Sequence, residues 1–325
     1  MMKHLELRKF YKEQIQSLNI KAIQIDPNGY CGSKCIFCCV RYIKRPSVTQ
    51  IMTVEMFSDI LKRLRNLFPD SFPSLWLSSY NDILLDPYLR ARLSVLKEFG
   101  LSFTVLSNGI GLLKNLSILQ PYHGTVINGY LLNIPAGNPD DYSFFTSNSA
   151  NVFSIIIQGV NELYNCNPSW ATNHVNITVN GSYSDEHARR QLKYFVPDNN
   201  TELQLEQLCK LFPYFNVTDA RPLCDRAGSL KPYAIDNSVM PIREWWKLPV
   251  SAEIATGCNG GSRLTDWIHI TNSGHLITCC QDYSEAYSYG HIDDVDLKTA
   301  LKSDKRVDTI INTLEFLCTQ CWFSY

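Results

Sequence analysis

Cys31, Cys35 and Cys38 form a C-x3-C-x2-C run, CGSKCIFC, directly after the apolar segment KAIQID. Three thiolates at this spacing can hold three irons of a cubane [4Fe-4S] cluster and leave the fourth without a protein ligand, open to a small molecule. Structural zinc is the alternative, but zinc motifs usually pair C-x2-C knuckles and close every position, and here one ligand would be missing. Cys39, next to the third thiol, points away in most local geometries and reads as a buried cysteine.

The rest of the composition suits redox or metal chemistry on a small substrate. The chain has 325 residues, 45% of them hydrophobic and 12% aromatic, enough to bury a full core in one large domain plus a smaller one. Net charge is -1, from 30 basic and 31 acidic residues, so the balance gives no reason to expect nucleic acid or an anionic membrane. The start, MMKHLELRKFYKEQIQ, is charged and helical, unlike a signal peptide, and no apolar run reaches the length of a membrane span. A cytoplasmic location is the expectation. The 12 cysteines cluster at 31–39 and 258–321, with Cys166, Cys209 and Cys224 apart. Without a secretion signal, metal or redox use outweighs disulfides.

Between residues 21 and 227, six short apolar runs (KAIQID, SLWLS, SFTVL, INGYLLNI, HVNITVN and FNVTDA) alternate with helical patterns. The clearest helix covers 53–68, with Met56, Phe57, Ile60, Leu61, Leu64, Leu67 and Phe68 on one face behind a Thr53 cap. Another runs from Pro87 to Phe99 and stops at Gly100. Strands separated by helices imply an α/β fold of parallel βα units, and six units imply a partial (β/α)6 barrel with its site at the strand C-termini. Those ends are the cysteine loop, Tyr80-Asn81-Asp82, Ser107-Asn108-Gly109, Asn133, Asn180 and Arg221–Gly228. Residues 1–20 form a helical extension. Residues 228–257 connect the barrel to a second module at 258–325, and Trp245 and Trp246 wall the substrate cavity or pack between modules. In that module WIHI-TNSG-HLIT signals a hairpin, followed by a helix near 296–314.

With Phe37 before its third cysteine, the C-x3-C-x2-C run resembles the signature of the radical S-adenosylmethionine (SAM) superfamily, and barrel, linker and C-terminal module follow in the order expected of it. The resemblance implies that Cys31, Cys35 and Cys38 hold the cluster. It also implies that the amino and carboxylate groups of AdoMet chelate the open iron and that Phe37 lies near the adenine. Cleavage of the sulfonium would then yield a 5′-deoxyadenosyl radical that takes hydrogen from an unactivated carbon. Where the family usually has Gly-Gly-Glu for the methionine amino group, this chain has Tyr80-Asn81-Asp82, whose Asn81 and Asp82 can still accept hydrogen bonds. The SNG at 107–109 resembles the family's TNG, so Ser107 and Asn108 are candidate AdoMet contacts, with Asn133 a further one by its place at a strand end. The basic stretch Arg41–Arg45 is a candidate dock for an acidic flavodoxin- or ferredoxin-type reductant, or a solvated loop.

Cys258, Gly274-x4-Cys279 and Cys318-x2-Cys321 resemble the Twitch form of the SPASM auxiliary-cluster module, which implies a second, fully ligated [4Fe-4S] cluster. A four-cysteine zinc site is the alternative. A fully ligated cluster cannot bind substrate but can relay an electron. Cys280, after the ligand Cys279, resembles the thiol that peptide epimerases use as hydrogen donor, and Cys224, after the sixth strand, is a second donor candidate. Either could instead be packing. Asp282 and Asp225 are candidate bases, and Arg221 and Arg226 could pair with a carboxylate; Arg226 lies in DRAG, a run that recurs at this point in Twitch and SPASM enzymes. These features lead to a peptide or small natural-product substrate, with redox-neutral epimerisation ahead of two-electron dehydrogenation. The extension before the first strand is too short for a leader-peptide domain, since independent domains rarely fall below ~40 residues, which weighs against a peptide. A zinc-stabilised binding protein is the non-enzyme reading.

Overall fold

The computed structural model describes residues 4–42, 45, 47–78, 81–179, 201–219, 255–258, 263–294 and 296–321. All six expected strands form: β1 (Ala22–Ile25), β2 (Ser74–Trp76), β3 (Phe103–Ser107), β4 (Ile127–Asn133), β5 (Val175–Val179) and β6 (Asn216–Asp219). They pair in parallel in chain order. Helix α2 (Val54–Leu67) begins at the expected cap, where Thr53 Oγ1 accepts the Met56 N–H at 3.1 Å, and it buries Phe57, Ile60, Leu61 and Leu64. Helix α3 (Leu89–Glu98) starts two residues later than expected because the Asp86 carboxylate captures the Tyr88 N–H at 2.7 Å. It ends at Gly100, whose φ of +62° is the left-handed conformation that glycine adopts without strain.

Along β3 and β5 buried and half-buried residues alternate strictly. Ile23, Leu75, Phe103, Val105, Ile177 and Val179 face the helices and join one core with α2 and α3. The opposite face carries Gln24, Trp76, Thr104, Leu106, Leu131, Asn176 and Thr178, a mixed polar and apolar surface less buried than the helix-facing one.

The C-terminal module is continuous with this sheet. The hairpin forms as expected, β7 (Trp267–Ile270) against β8 (His275–Ile277), and β9 (Ser288–His291) adds to it. What the local pattern does not reveal is that β7 pairs in parallel with β1, Gln24 opposite His269, to give one sheet in the order β6-β5-β4-β3-β2-β1-β7-β8-β9. The expected helix near 296–314 is interrupted: Leu297–Leu301 ends, Ser303 caps Asp304–Asn312, and a widened turn, Thr313–Leu317, delivers Cys318. Among the described residues no helix is long and apolar enough to cross a membrane.

The N-terminal helix α1 (His4–Gln16) packs on this module. Leu7, Tyr11 and Ile15 share a second core with Val307, Ile310, Ile311 and Leu314, and with Cys279, Cys280 and Cys318. Lys12 pairs with Asp304 at 2.9 Å, Arg8 pairs with Asp308, and Tyr11 Oη donates to the Thr256 carbonyl at 3.0 Å.

Arg45 corrects the expectation of a basic docking stretch. It is 1% exposed, its Nη2 donating to Asp26 Oδ2 at 3.1 Å and its Nε to Glu285 Oε1 at 2.7 Å, while Ser47 Oγ also donates to Glu285. This network joins the end of β1 to the loop between β8 and β9. Burial pushes the Asp26 carboxyl up to about 6, against the opposing pull of Arg45.

Replacing Arg45 by methionine leaves two buried carboxylates without their cation and is expected to lower unfolding free energy by about 3–5 kcal/mol in urea titrations. Thr53→Ala removes only a cap and is expected to cost about 1 kcal/mol. Because the folded Asp26 keeps its proton at pH values where the unfolded chain has lost it, its contribution falls as pH rises from about 4 through about 6. The stability difference between wild type and Asp26→Asn is expected to drop by roughly 3 kcal/mol over that window. A flat difference would contradict the raised carboxyl.

Candidate cluster and AdoMet sites

The loop after β1 is held on both sides. Gly29 passes so close to the hairpin that a Cβ would lie 2.5 Å from the Ser47 carbonyl and 2.8 Å from Asn272 Nδ2, which leaves room for glycine alone. Asn272, in the TNSG turn, donates to the carbonyls of Ser47 and Gln50 at 2.6 and 2.8 Å. On the other side the Lys34 and Ile36 N–H groups donate to the Thr146 and Phe145 carbonyls at the end of the helix Pro139–Thr146, each at 2.9 Å. Phe37 packs on Phe145, ring centroids 6.3 Å apart.

The loop brings Cys31, Cys35 and Cys38 into mutual electrostatic reach. Burial, then the Asp82 carboxylate, pushes the Cys31 thiol up to about 12, and burial followed by Cys38 and Cys31 pushes Cys35 well above the usual thiol range. Convergent cysteines of which Cys31 and Cys35 are this costly to ionise suit a soft, cationic occupant that offsets that cost, which an iron–sulfur cluster is. Among the described residues no three His, Cys, Asp or Glu side chains gather tightly enough to hold a metal ion. Cys39 is fully buried, as expected, and the described cysteines form no disulfide.

Asp82 is the hub behind this loop. Its Oδ1 accepts the Leu84 N–H at 3.0 Å, and its Oδ2 accepts from Ser107 Oγ at 2.9 Å and from the Asn108 N–H at 3.2 Å. The carboxylate expected to reach for AdoMet is thus turned toward the chain's own donors, 1% exposed, and burial raises its pKa. Asn81 donates to the Leu77 carbonyl at 3.2 Å, and Asn133 to Thr178 Oγ1 at 3.2 Å. Asn108 Nδ2 reaches Cys31 Sγ at 3.3 Å.

Cys258, Cys279, Cys318 and Cys321 line one enclosed cavity together with Arg263, Leu264, Gln281 and Leu317. The terminal pair closes a turn, the Cys321 N–H donating to the Cys318 carbonyl at 3.0 Å. Burial, then Cys258, raises the Cys318 thiol to about 12. This donor set too fits a cluster. Cys280 stands outside that cavity lining, and Arg263 Nη1 donates to its Sγ at 3.0 Å. The Asp282 carboxylate organises a turn, accepting from Ser284 Oγ and the N–H groups of Ala286 and Tyr287 at 3.0, 3.1 and 2.7 Å. Tyr80, Asn180, Arg221, Cys224, Asp225, Arg226, Trp245 and Trp246 lie outside the described residues.

Neither a protein-family model nor a curated protein matches the sequence. Solved structures do. BtrN in complex with AdoMet and 2-DOIA superposes with TM-score 0.51 at 14% identity, over 92% of this chain and 88% of that one. Streptococcus suis SuiB bound to precursor peptide SuiA superposes with TM-score 0.54 at 14% identity, over 97% and 73%. Polyhistidine-tagged anSMEcpe with bound AdoMet superposes with TM-score 0.53 at 13% identity, over 92% and 82%. The chain shares the fold of BtrN, SuiB and anSMEcpe.

On the sheet face that carries Gln24 and Trp76 lies a residue that sequence reasoning missed. His269 Nδ1 donates to Gln24 Oε1 at 2.8 Å, and Gln24 Nε2 in turn donates to the Ser78 carbonyl at 2.7 Å. The imidazole proton is thereby fixed on Nδ1, and Nε2 is an acceptor without a partner among the described residues. Trp267 stacks on the ring at 5.6 Å and on Trp76 at 6.3 Å. The alternation in WIHI carried the signal, since it puts Trp267 and His269 on one face. Burial lowers the His269 pKa to about 4. Long-range proton–nitrogen NMR is expected to show the Nδ1–H tautomer unchanged from pH 8 down to about 5; protonation near neutrality would contradict this arrangement.

Proposed function

We propose that the chain is a radical SAM enzyme: Cys31, Cys35 and Cys38 hold a [4Fe-4S] cluster that takes AdoMet, and Cys258, Cys279, Cys318 and Cys321 hold a second, fully ligated one. The convergence of three cysteines on the loop after β1, two of them with thiols raised by burial, carries this reading, within a fold whose solved examples include BtrN and anSMEcpe with AdoMet bound. When bound, the first cluster and AdoMet supply reductive cleavage of the sulfonium and hydrogen abstraction from an unactivated carbon. The chain's own residues orient and shield. Asp82 fixes the loop end that faces Cys31, Phe37 would lie near the adenine, and Asn133, Thr178 and Trp76 would present polar and aromatic surface to a substrate. The barrel would occupy 21–227, linked through 228–257 to the module at 258–325.

The substrate is a peptide or a small polar natural product; SuiB is seen with a precursor peptide and BtrN with 2-DOIA. A flavodoxin- or ferredoxin-type reductant docks at exposed Lys34 and Arg41 beside the cluster loop rather than at Arg45. Cytoplasmic residence keeps the thiols reduced. For the reaction itself we favour epimerisation with Cys280 as hydrogen donor, because this thiol follows Cys279 directly yet is not among the residues lining the cysteine cavity. Two-electron dehydrogenation is the second reading. Arg263 supports it, since a guanidinium 3.0 Å from the sulfur favours a thiolate, which cannot give a hydrogen atom.

Anaerobic reconstitution is expected to load about eight irons per chain, falling to about four in Cys318→Ala, and to yield 5′-deoxyadenosine that Cys31→Ala abolishes. Zinc in place of iron would overturn the reading. With extract of cells lacking this protein as substrate source and deuterated water as solvent, epimerisation adds about one mass unit and requires Cys280; a loss of about two supports dehydrogenation.

A further inference from the structure

We propose that Asn108 tunes the reduction potential of the cluster at Cys31, Cys35 and Cys38 by donating a hydrogen bond to the Cys31 sulfur; the proposal rests on the iron–sulfur reading of that loop and assigns Asn108 a role other than AdoMet contact. Both ends of its side-chain amide are bonded, as is its backbone N–H. The N–H donates to Asp82 Oδ2 at 3.2 Å, Oδ1 accepts the Ile110 N–H at 3.0 Å, and Nδ2 donates to Cys31 Sγ at 3.3 Å and Ser33 Oγ at 3.2 Å. The amide orientation is therefore determined. Exchanging its O and N would set oxygen against the sulfur and an NH2 against the Ile110 N–H, two repulsive contacts in place of two hydrogen bonds.

The surroundings hold the donor there. Gly109 follows with φ +83°, and its N–H donates to Ser107 Oγ at 2.9 Å, while Ser107 itself is bonded to Asp82. Ser33 Oγ, the second acceptor for Asn108, is also held by Asn148 Nδ2 at 3.0 Å. An N–H aimed at a cluster thiolate stabilises the more electron-rich state, so it raises the potential and eases reduction. Asn108 is thus a positioning and tuning residue, held by the Asp82 carboxylate behind it.

The test uses the full chain loaded with both clusters and grown with 15N-asparagine. Electron–nuclear double resonance is recorded on the reduced signal that changes when AdoMet is added, which identifies the first cluster. A 15N coupling is expected, lost in Asn108→Asp together with a shift of that cluster's midpoint to lower potential. The aspartate keeps the acceptor for Ile110 and replaces the donor by a negative oxygen. If that variant does not load iron, Asn108→Leu, which drops the donor without adding charge, is expected to shift the midpoint in the same direction. Absence of the coupling in wild type, or an unchanged midpoint in a loaded variant, overturns the role of Asn108 alone. A reduced signal indifferent to AdoMet overturns the reading of the loop on which the proposal stands.

Discussion

Strand β1 is bonded in parallel along both of its edges, to β2 on one side and β7 on the other, and the rest of the molecule depends on that double pairing. It makes a four-residue strand the seam between barrel and C-terminal module. The Lys21 N–H donates to the Asp266 carbonyl and the Asp26 N–H to the Ile270 carbonyl, at 2.7 and 2.9 Å, so the ladder runs past both ends of the strand. The cysteine loop leaves from this seam, and Asp26, Arg45 and Glu285 close it with a buried ion network. Such a network costs desolvation and contributes geometry: removing one member is expensive, so both modules are held in one relation to the loop.

Electrostatics then explains why the thiols sit where they do. Buried among one another and near Asp82, Cys31 and Cys35 resist ionisation, and a positively charged occupant relieves that cost. Asp82 would be a liability beside them if its charge were not spread over Leu84, Ser107 and Asn108. One carboxylate thereby orders the ends of two strand loops, and Asn108 turns part of that order back toward the sulfur. In the second module the same problem is solved by enclosure, with α1 and Asp304–Asn312 covering the core that contains Cys279, Cys280 and Cys318.

Local information was legible in the sequence. Six strands, the Thr53-capped helix, the hairpin and both cysteine sets follow from periodicity, capping chemistry and spacing, all of which act within a few residues. What escaped is long-range. Pairing of β7 with β1 joins segments 245 residues apart, since Gln24 lies opposite His269, and no local pattern encodes it. Arg45 looks like a solvated cation until Asp26 and Glu285 converge on it, and α1 looks like a free extension because its partner stripe, Val307 to Leu314, lies at the far end of the chain. The interruption near residue 302 was more readable, as Ser303 is an ordinary N-cap. Asp82 occupies the position expected for an AdoMet contact, yet hydrogen-bond geometry, which spacing cannot reveal, commits it to the chain.

The central claim is that the three thiols after β1 hold a cluster with one iron left for AdoMet. Mössbauer spectroscopy of the anaerobically reconstituted, 57Fe-loaded protein, recorded with and without AdoMet, tests it most directly. The account predicts that AdoMet changes the parameters of a single iron and leaves the others, including those held by Cys258, Cys279, Cys318 and Cys321, as they were. Identical spectra with and without AdoMet would contradict it.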